Sequence, residues 1–175
     1  GAGQPQGILV ANCTVSVAKE TGQAATTIVT ENLSKMWARL YSRSRQTSVW
    51  LYNQDCDPEL DKLAKTIGTA GVEPNFVVYG PDGVLRIKGR PVVAIEYAAT
   101  LGTVGDIIVA DLSEYWLFDK GIPQQASSMH VAFTTDEMAY RVTYRVDGKP
   151  SWKTALTPFK GSNTQSPFVT LATRS

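Results

Sequence analysis

The chain has 175 residues, enough for one domain or one domain with a small second lobe. Its apolar fraction of 43% is that of an ordinary globular protein, and a formal net charge of +1 argues against strong overall attraction to nucleic acid or an acidic membrane. No apolar run approaches the roughly 18 residues of a membrane span, and the two cysteines, Cys13 and Cys56, have neither metal-ligand nor CxxC spacing, which favours reduced thiols over a disulfide.

The first residues, GAGQPQGILV, run from a Gly/Pro turn straight into an apolar stretch. They read as the later part of a longer protein, with a Gly-Ala-Gly tag scar as the alternative. Ile8–Val10 and Thr14–Val17 are short strand candidates, and residues 19–25 read as a loop broken at Gly22. The clearest helix follows. Thr30 suits its N-cap and Glu31 its positive end. Leu33, Met36, Trp37, Leu40 and Tyr41 form one apolar stripe at helical spacing, and Arg39, Arg43 and Arg45 gather towards its C-terminal end.

Ser48–Tyr52 reads as a buried strand. A second helix is expected from Asp57, with Pro58 at its first position, an apolar face of Leu60, Leu63, Ala64 and Ile67, and Gly68 as its stop. Residues 69–73 read as a loop. Phe76–Tyr79 and Val84–Ile87 flank Gly80-Pro81-Asp82-Gly83, a hairpin signal. Val84–Phe118 is the expected sheet core, with strands at Val84–Ile87, Pro91–Ile95, Ile107–Ala110 and Tyr115–Phe118. Gly89 and the Gly102–Gly105 loop punctuate it.

Residues 119–127 read as a polar connection. Met129–Phe133 and Met138–Val146 alternate as strands, with Met138, Tyr140, Val142, Tyr144 and Val146 on one side. Asp147-Gly148 reads as a turn, and Thr154–Pro158 and Pro167–Ala172 as further strands. The pattern predicts an α+β fold: a mixed domain over 28–128 with a strand-rich edge formed by both chain ends.

Candidate chemistry is sparse. Asp55, Asp57, Glu59 and Asp61 fail as a calcium loop, because the sixth and twelfth positions are Leu60 and Thr66; an acid-biased helix start is the better account. His130, the single histidine, reads as solvated or structural. Cys56 would need it nearby in space to act as a nucleophile. Gly1–Gly7 lacks the ending of a phosphate loop. Trp37, Trp50 and Trp116 are expected in the core, leaving Trp152 as the one exposed aromatic contact. The three arginines read as a solvated helix face, with nucleic acid or a neighbouring subunit as the alternative. No catalytic, cofactor-binding or metal-binding residue is assigned.

The order of segments resembles the later half of an HK97-type tailed-phage major capsid protein. The resemblance rests on Gly3-Gln-Pro5-Gln-Gly7-Ile8-Leu9; on Leu33–Tyr41 leading to Trp50-Leu51-Tyr52-Asn53, Pro58, Leu60 and Leu63; and on Leu85, Gly89, Pro91 and Val92. It continues through Leu101-Gly102-Thr103, Gly105-Asp106-Ile107-Ile108, Asp111, Ser113, Tyr115 and Asp119. Phe133, Asp136-Glu137, Ala139, Arg141, Arg145, Asp147-Gly148 and Pro150 come next, and Ser166–Val169, Leu171 and Arg174 close it.

The resemblance implies three regions: 1–27 joining the peripheral domain, 28–128 as the axial domain, and 129–175 completing the axial and peripheral domains. It implies a structural subunit, not an enzyme, that self-assembles into pentamers and hexamers around a genome. The subunit would be assembled in the bacterial host cytoplasm and reside in the virion. Expected partners are other copies of the chain, with scaffold, portal or decoration proteins and weakly held packaged DNA, and no membrane. It also implies a spine helix upstream of Gly1; without that cover, the strands over 130–146 and 154–172 are expected to fray or to pair with another copy. No covalent crosslink is assigned. An encapsulin-type nanocompartment shell is the alternative within the fold, and a small hydrolase using Cys56 or His130 is the alternative outside it.

Overall fold

A computed structural model describes residues 3–67, 71–74 and 77–174. Among these, the order is β1 (Val15–Val17), α1 (Thr30–Arg39), β2 (Val49–Tyr52), α2 (Asp57–Asp61), β3 (Ala64–Ile67), β4 (Gly71–Pro74), β5 (Val77–Tyr79) and β6 (Leu85–Ile87). There follow β7 (Arg90–Ala94), β8 (Ile107–Ala110), β9 (Tyr115–Asp119), β10 (Gln124–Ala132), β11 (Glu137–Thr143), β12 (Val146–Pro150) and β13 (Phe168–Leu171). Among the described residues seven strands join one sheet in the order β1-β13-β8-β2-β7-β6-β5, and three two-stranded pairs, β10-β11, β9-β12 and β3-β4, stand beside it.

Both ends of the chain meet in that sheet. β1 runs parallel to β13 with Val15 opposite Val169, and β13 pairs antiparallel with β8. β13 is buried along its whole length, so the expectation that 154–172 would lack cover is corrected there: its apolar side chains lie inside the sheet rather than on a free rim.

Alternation along the strands divides the core in two. On one face Trp50, Val109, Val169, Val15 and Val17 pack under Leu33 and Met36 of α1, Leu40 just after it, and Leu60 of α2. The Trp50 indole donates to the Ile87 carbonyl at 3.2 Å and stacks on Trp37 with centroids 6.4 Å apart. On the other face Ala11, Cys13, Ile108, Ala110 and Phe168 cluster, with Ile8, Tyr115 and Trp152 partly buried around them. Ile8–Val10 forms a single 3-10 turn instead of the expected strand. Ile8 alone of the three packs partly against the sheet, while Leu9 and Val10 are exposed.

Several expected elements shift for local reasons. α1 begins at Thr30, so Thr30 is its first helical residue and not its cap; the Asn32 side chain reaches back and accepts the Val29 N–H at 3.2 Å. α2 stops at Asp61, and Ala64–Ile67 pairs with Gly71–Pro74 as a hairpin. The expected longer helix and following loop are therefore replaced by strands; the helix stop at Gly68 and the loop's first residues, 69 and 70, lie outside the described residues, as does Phe76. Residues 119–127 are not wholly a connection, because β10 starts at Gln124. The strand expected over 138–146 breaks after Thr143, and Asp147-Gly148 lies inside β12 rather than in a turn. The strand expected at 154–158 is reduced to one bridge, Leu156 to Gln165.

The Gly102–Gly105 loop closes on the start of β8. Both glycines have positive φ, at +92° and +93°. A Cβ on Gly105 would sit 2.5 Å from Leu9 Cδ1, and one on Gly102 would sit 2.8 Å from Thr26 Cγ2. The dihedral favours glycine at both positions; at Gly102 the Thr26 backbone also crowds a Cβ, whereas at Gly105 only the flexible, exposed Leu9 side chain would have to move.

Candidate functional site

The groups that sequence offered for chemistry do not come together. Cys56 is fully buried below β8, its thiol donating to the Asp106 carbonyl at 3.8 Å. Burial, reinforced by the Asp106 carboxylate, pushes its pKa up to about 12, so it holds its proton where a nucleophile would have to lose it. His130 is exposed on β10. Both thiols are free, as expected. Among the described residues no cluster of His, Cys, Asp and Glu could hold a metal, and no helix is long and apolar enough to cross a membrane.

The acidic segment behaves as a capped turn. Asn53 Oδ1 accepts the Asp55 N–H at 2.9 Å, Asp57 accepts the Tyr52 hydroxyl at 2.6 Å, and Glu59 pairs with Lys62. Two of the three arginines are absorbed by packing instead of forming a solvated face. Arg39 donates to the Thr164 carbonyl and hydroxyl. Arg45 lies over the Trp37 ring, 5.5 Å from its centroid, and donates to the Trp37 carbonyl. Arg43 alone is exposed.

Two aromatic expectations exchange places. Trp116, expected in the core, is 51% exposed on β9. Trp152, expected as the exposed contact, is half-buried, edge-on to Tyr41 with its indole donating to Glu114 at 3.2 Å. The sequence signal for Trp116 is the same apolar run that elsewhere marks a buried strand; only the pairing of β9 with β12, away from the large sheet, places it outside.

What the fold presents instead is surface. β10 and β11 form a ribbon paired from Gln124–Thr143 to Ala132–Glu137, with a register break between Ser128 and Ala132. Met138, Tyr140 and Val142 share one face of it and are all exposed, and Met129, Val131 and Phe133 near its tip are exposed as well. A lone two-stranded ribbon with an uncovered apolar face is marginal in water, and such a contiguous patch marks a surface that meets another protein surface. Tyr97 and Phe159 add two almost fully exposed rings, at 96% and 98%.

The described residues thus form an α+β fold with both chain ends in one sheet and apolar strand ribbons left uncovered. The model of the phage capsid family matches residues 1–161. The chain belongs to the phage capsid family. Solved structures described as the capsid of an empty GTA particle and of a native GTA particle, both computed with C5 symmetry, share its fold: TM-scores are 0.65 and 0.63 at 15% and 14% identity, covering 100% of this chain. The chain spans 58% of the length of each of those capsid chains. Comparison with curated protein sequences gives no match.

Proposed function

We propose that this chain is part of a phage or prophage capsid subunit that self-assembles into pentamers and hexamers and encloses a genome. Membership of the phage capsid family carries the reading, and the uncovered apolar face of β10-β11 supplies a surface for it. Each contact between copies can be modest, because closed symmetric assembly multiplies them.

In this reading the seven-stranded sheet with α1 and α2 is the axial domain. The strands that leave it after Ala110, β9 to β12, belong to the peripheral domain, so that the boundary falls earlier than 128. The support is the pairing pattern: β9 to β12 pair only with one another, while β13 returns to β8. Scaffold, portal and decoration proteins and packaged DNA are the partners such a shell meets, the virion its residence, and the host cytoplasm its place of assembly.

Electron microscopy of the full-length gene product, purified without denaturant, tests the proposal. Closed icosahedral shells are the expected result. Monomers under all salt, pH and scaffold conditions would overturn it. Nucleic acid inside the shells separates a phage capsid from a nanocompartment, which would hold a cargo enzyme.

A further inference from the structure

Phe159 stands out in water on a loop that is closed at its base. Leu156 and Gln165 exchange both backbone hydrogen bonds at 2.8 Å. Just inside that closure, Arg39 at the end of α1 donates to the carbonyl and the hydroxyl of Thr164. The tip reads Pro158-Phe159-Lys160-Gly161, with Gly161 at a φ of +103°. A ring left 98% exposed gains no burial within its own subunit. Lys160 beside it is exposed, and residues 157–164 contain no carboxylate.

The opposite flank of the sheet carries a cleft of matching character. Its 340 Å³ is lined by Leu60, Leu63, Val78, Tyr79 and Leu85, with the exposed Asp61 among them. Flanking charges cancel in pairs, Glu59 with Lys62 and Asp82 with Arg86, while Asp57 accepts the Tyr52 hydroxyl and keeps its negative charge beside Asp61. Among the described residues neither Asp61 nor Lys160 is in an ion pair. The cleft thus offers apolar walls and an unpaired carboxylate; the loop offers an apolar ring and an unpaired ammonium. Four strands lie between β13, into which the loop leads, and β5 at the cleft, a span of about 24 Å across the sheet. One copy does not fill its own cleft, but a second copy has the part that fits.

We propose that Phe159 of one copy enters the cleft between Leu60 and Tyr79 of a second copy, with Lys160 beside that copy's Asp61. Knob and cleft are different surfaces on opposite flanks, so the contact is heterologous. Each copy gives a knob to one neighbour and receives one from the other, and the series closes into a ring when the rotation closes. The proposal deepens the shell reading and rests on it, since pentamers and hexamers are such rings. An aromatic side chain desolvated in a pocket is the kind of contact that carries most of an interface's energy. A loop already closed at its base gives up little freedom on docking. Tyr97, the other almost fully exposed ring, fits worse, because Glu96 precedes it and would meet Asp61 as a like charge.

The test is disulfide trapping in the full-length gene product carrying Lys160→Cys and Asp61→Cys together. Cys13 and Cys56 are buried and do not compete. Under mild oxidation a ladder of cross-linked copies ending at pentamers and hexamers on a non-reducing gel is expected, and either substitution alone should give no ladder. Phe159→Ala is expected to weaken association by about 30-fold or more in a sedimentation dilution series. Lys160→Asp or Asp61→Lys alone should weaken it by about 1.5- to 5-fold, and the two together should restore it. All three side chains are exposed, so unfolding temperatures should stay at that of the parent. Shells without a ladder, unchanged association of the Phe159→Ala variant, or additive losses in the double charge reversal would overturn the proposal. Micrographs of the parent keep the two readings apart. A ladder from a protein that never forms shells upholds the contact and counts only against the shell reading, whereas shells without a ladder count only against the contact.

Discussion

Arg174 and Asp106 form a fully buried ion pair. Asp106 also accepts the N–H groups of Gly102 and Ile107 at 2.9 and 2.8 Å, and the backbone of Arg174 is bonded to Gly102 and Thr26. One carboxylate thus joins the segment after β13, the glycine loop and the first residue of β8. Removing one partner of such a pair strands a charge without water. Arg174→Met is expected to lower stability by about 3–5 kcal/mol, and Asp106→Leu by at least as much because two backbone donors also lose their acceptor. Urea unfolding followed by tryptophan fluorescence measures both.

The glycine loop makes a second expectation. Gly105→Ala must adopt a positive φ and displace the Leu9 side chain, so a loss of about 1–3 kcal/mol is expected. The companion variant Leu9→Ala removes the clash but not the dihedral strain. A double variant that recovers only part of the loss in thermal melting would separate the two causes.

Cys56 links stability to alkaline pH. Its folded pKa is raised to about 12 by burial and by the Asp106 carboxylate, against about 8.5 in an unfolded chain. The unfolded state therefore releases the proton first as pH rises. The thiol's contribution is complete below about pH 8.5 and is lost between there and about pH 12. Cys56→Ser, whose hydroxyl does not titrate in that range, is expected to flatten the alkaline limb of a stability–pH profile. The native thiol should also resist a thiol-specific reagent at pH 8 until the chain unfolds.

At the acid end Asp111 acts in the opposite sense. Burial raises its pKa, but hydrogen bonds from Ser113, Ser44 and Thr47 outweigh this and hold it below the usual carboxylate range. Its stabilisation is present above the unfolded value of about 3.9 and fades as pH falls through the folded one. Ser113→Ala, which removes the 2.6 Å hydroxyl bond, is expected to raise the pH at which acid unfolding begins.

The β10-β11 ribbon separates folding from assembly. Met138→Lys with Tyr140→Lys changes only exposed positions, so monomer stability should stay within about 0.5 kcal/mol. If the apolar face meets another subunit, shells seen by electron microscopy should be lost. Normal shells from this variant would remove the ribbon from the assembly surface.

Much of the central sheet was legible in the residues. The apolar runs read at 48–52, 91–95 and 107–110 carry strands at 49–52, 90–94 and 107–110, being short and rich in β-branched or aromatic residues, and the Leu33–Met36–Leu40 stripe is buried under them as its spacing required. What periodicity could not show was partnership. Tyr115–Phe118 has the same apolar character as Ile107–Ala110, yet one lies outside and the other inside, because β9 pairs with β12 and β8 pairs with β2 and β13. The helix expected through Ile67 failed because Ala64 and Ile67 fit a helical face and a strand equally well in so short a run. Trp116 and Lys149 are likewise neighbours only across a register, which no local pattern shows.

The place of β13 between β1 and β8 also constrains how the chain reaches its native state. Val15 finds its partner Val169 roughly 150 residues later. On a ribosome, Val15–Val17 and the outer edge of Ile107–Ala110 emerge early and stay unpaired until Phe168–Leu171 is made. Such long-range closure is slow and leaves strand edges open to misassociation. The strand that joins those two edges is thus made long after both of them, and a nascent chain stalled before it would present two sticky edges to chaperones, not a subunit to its neighbours.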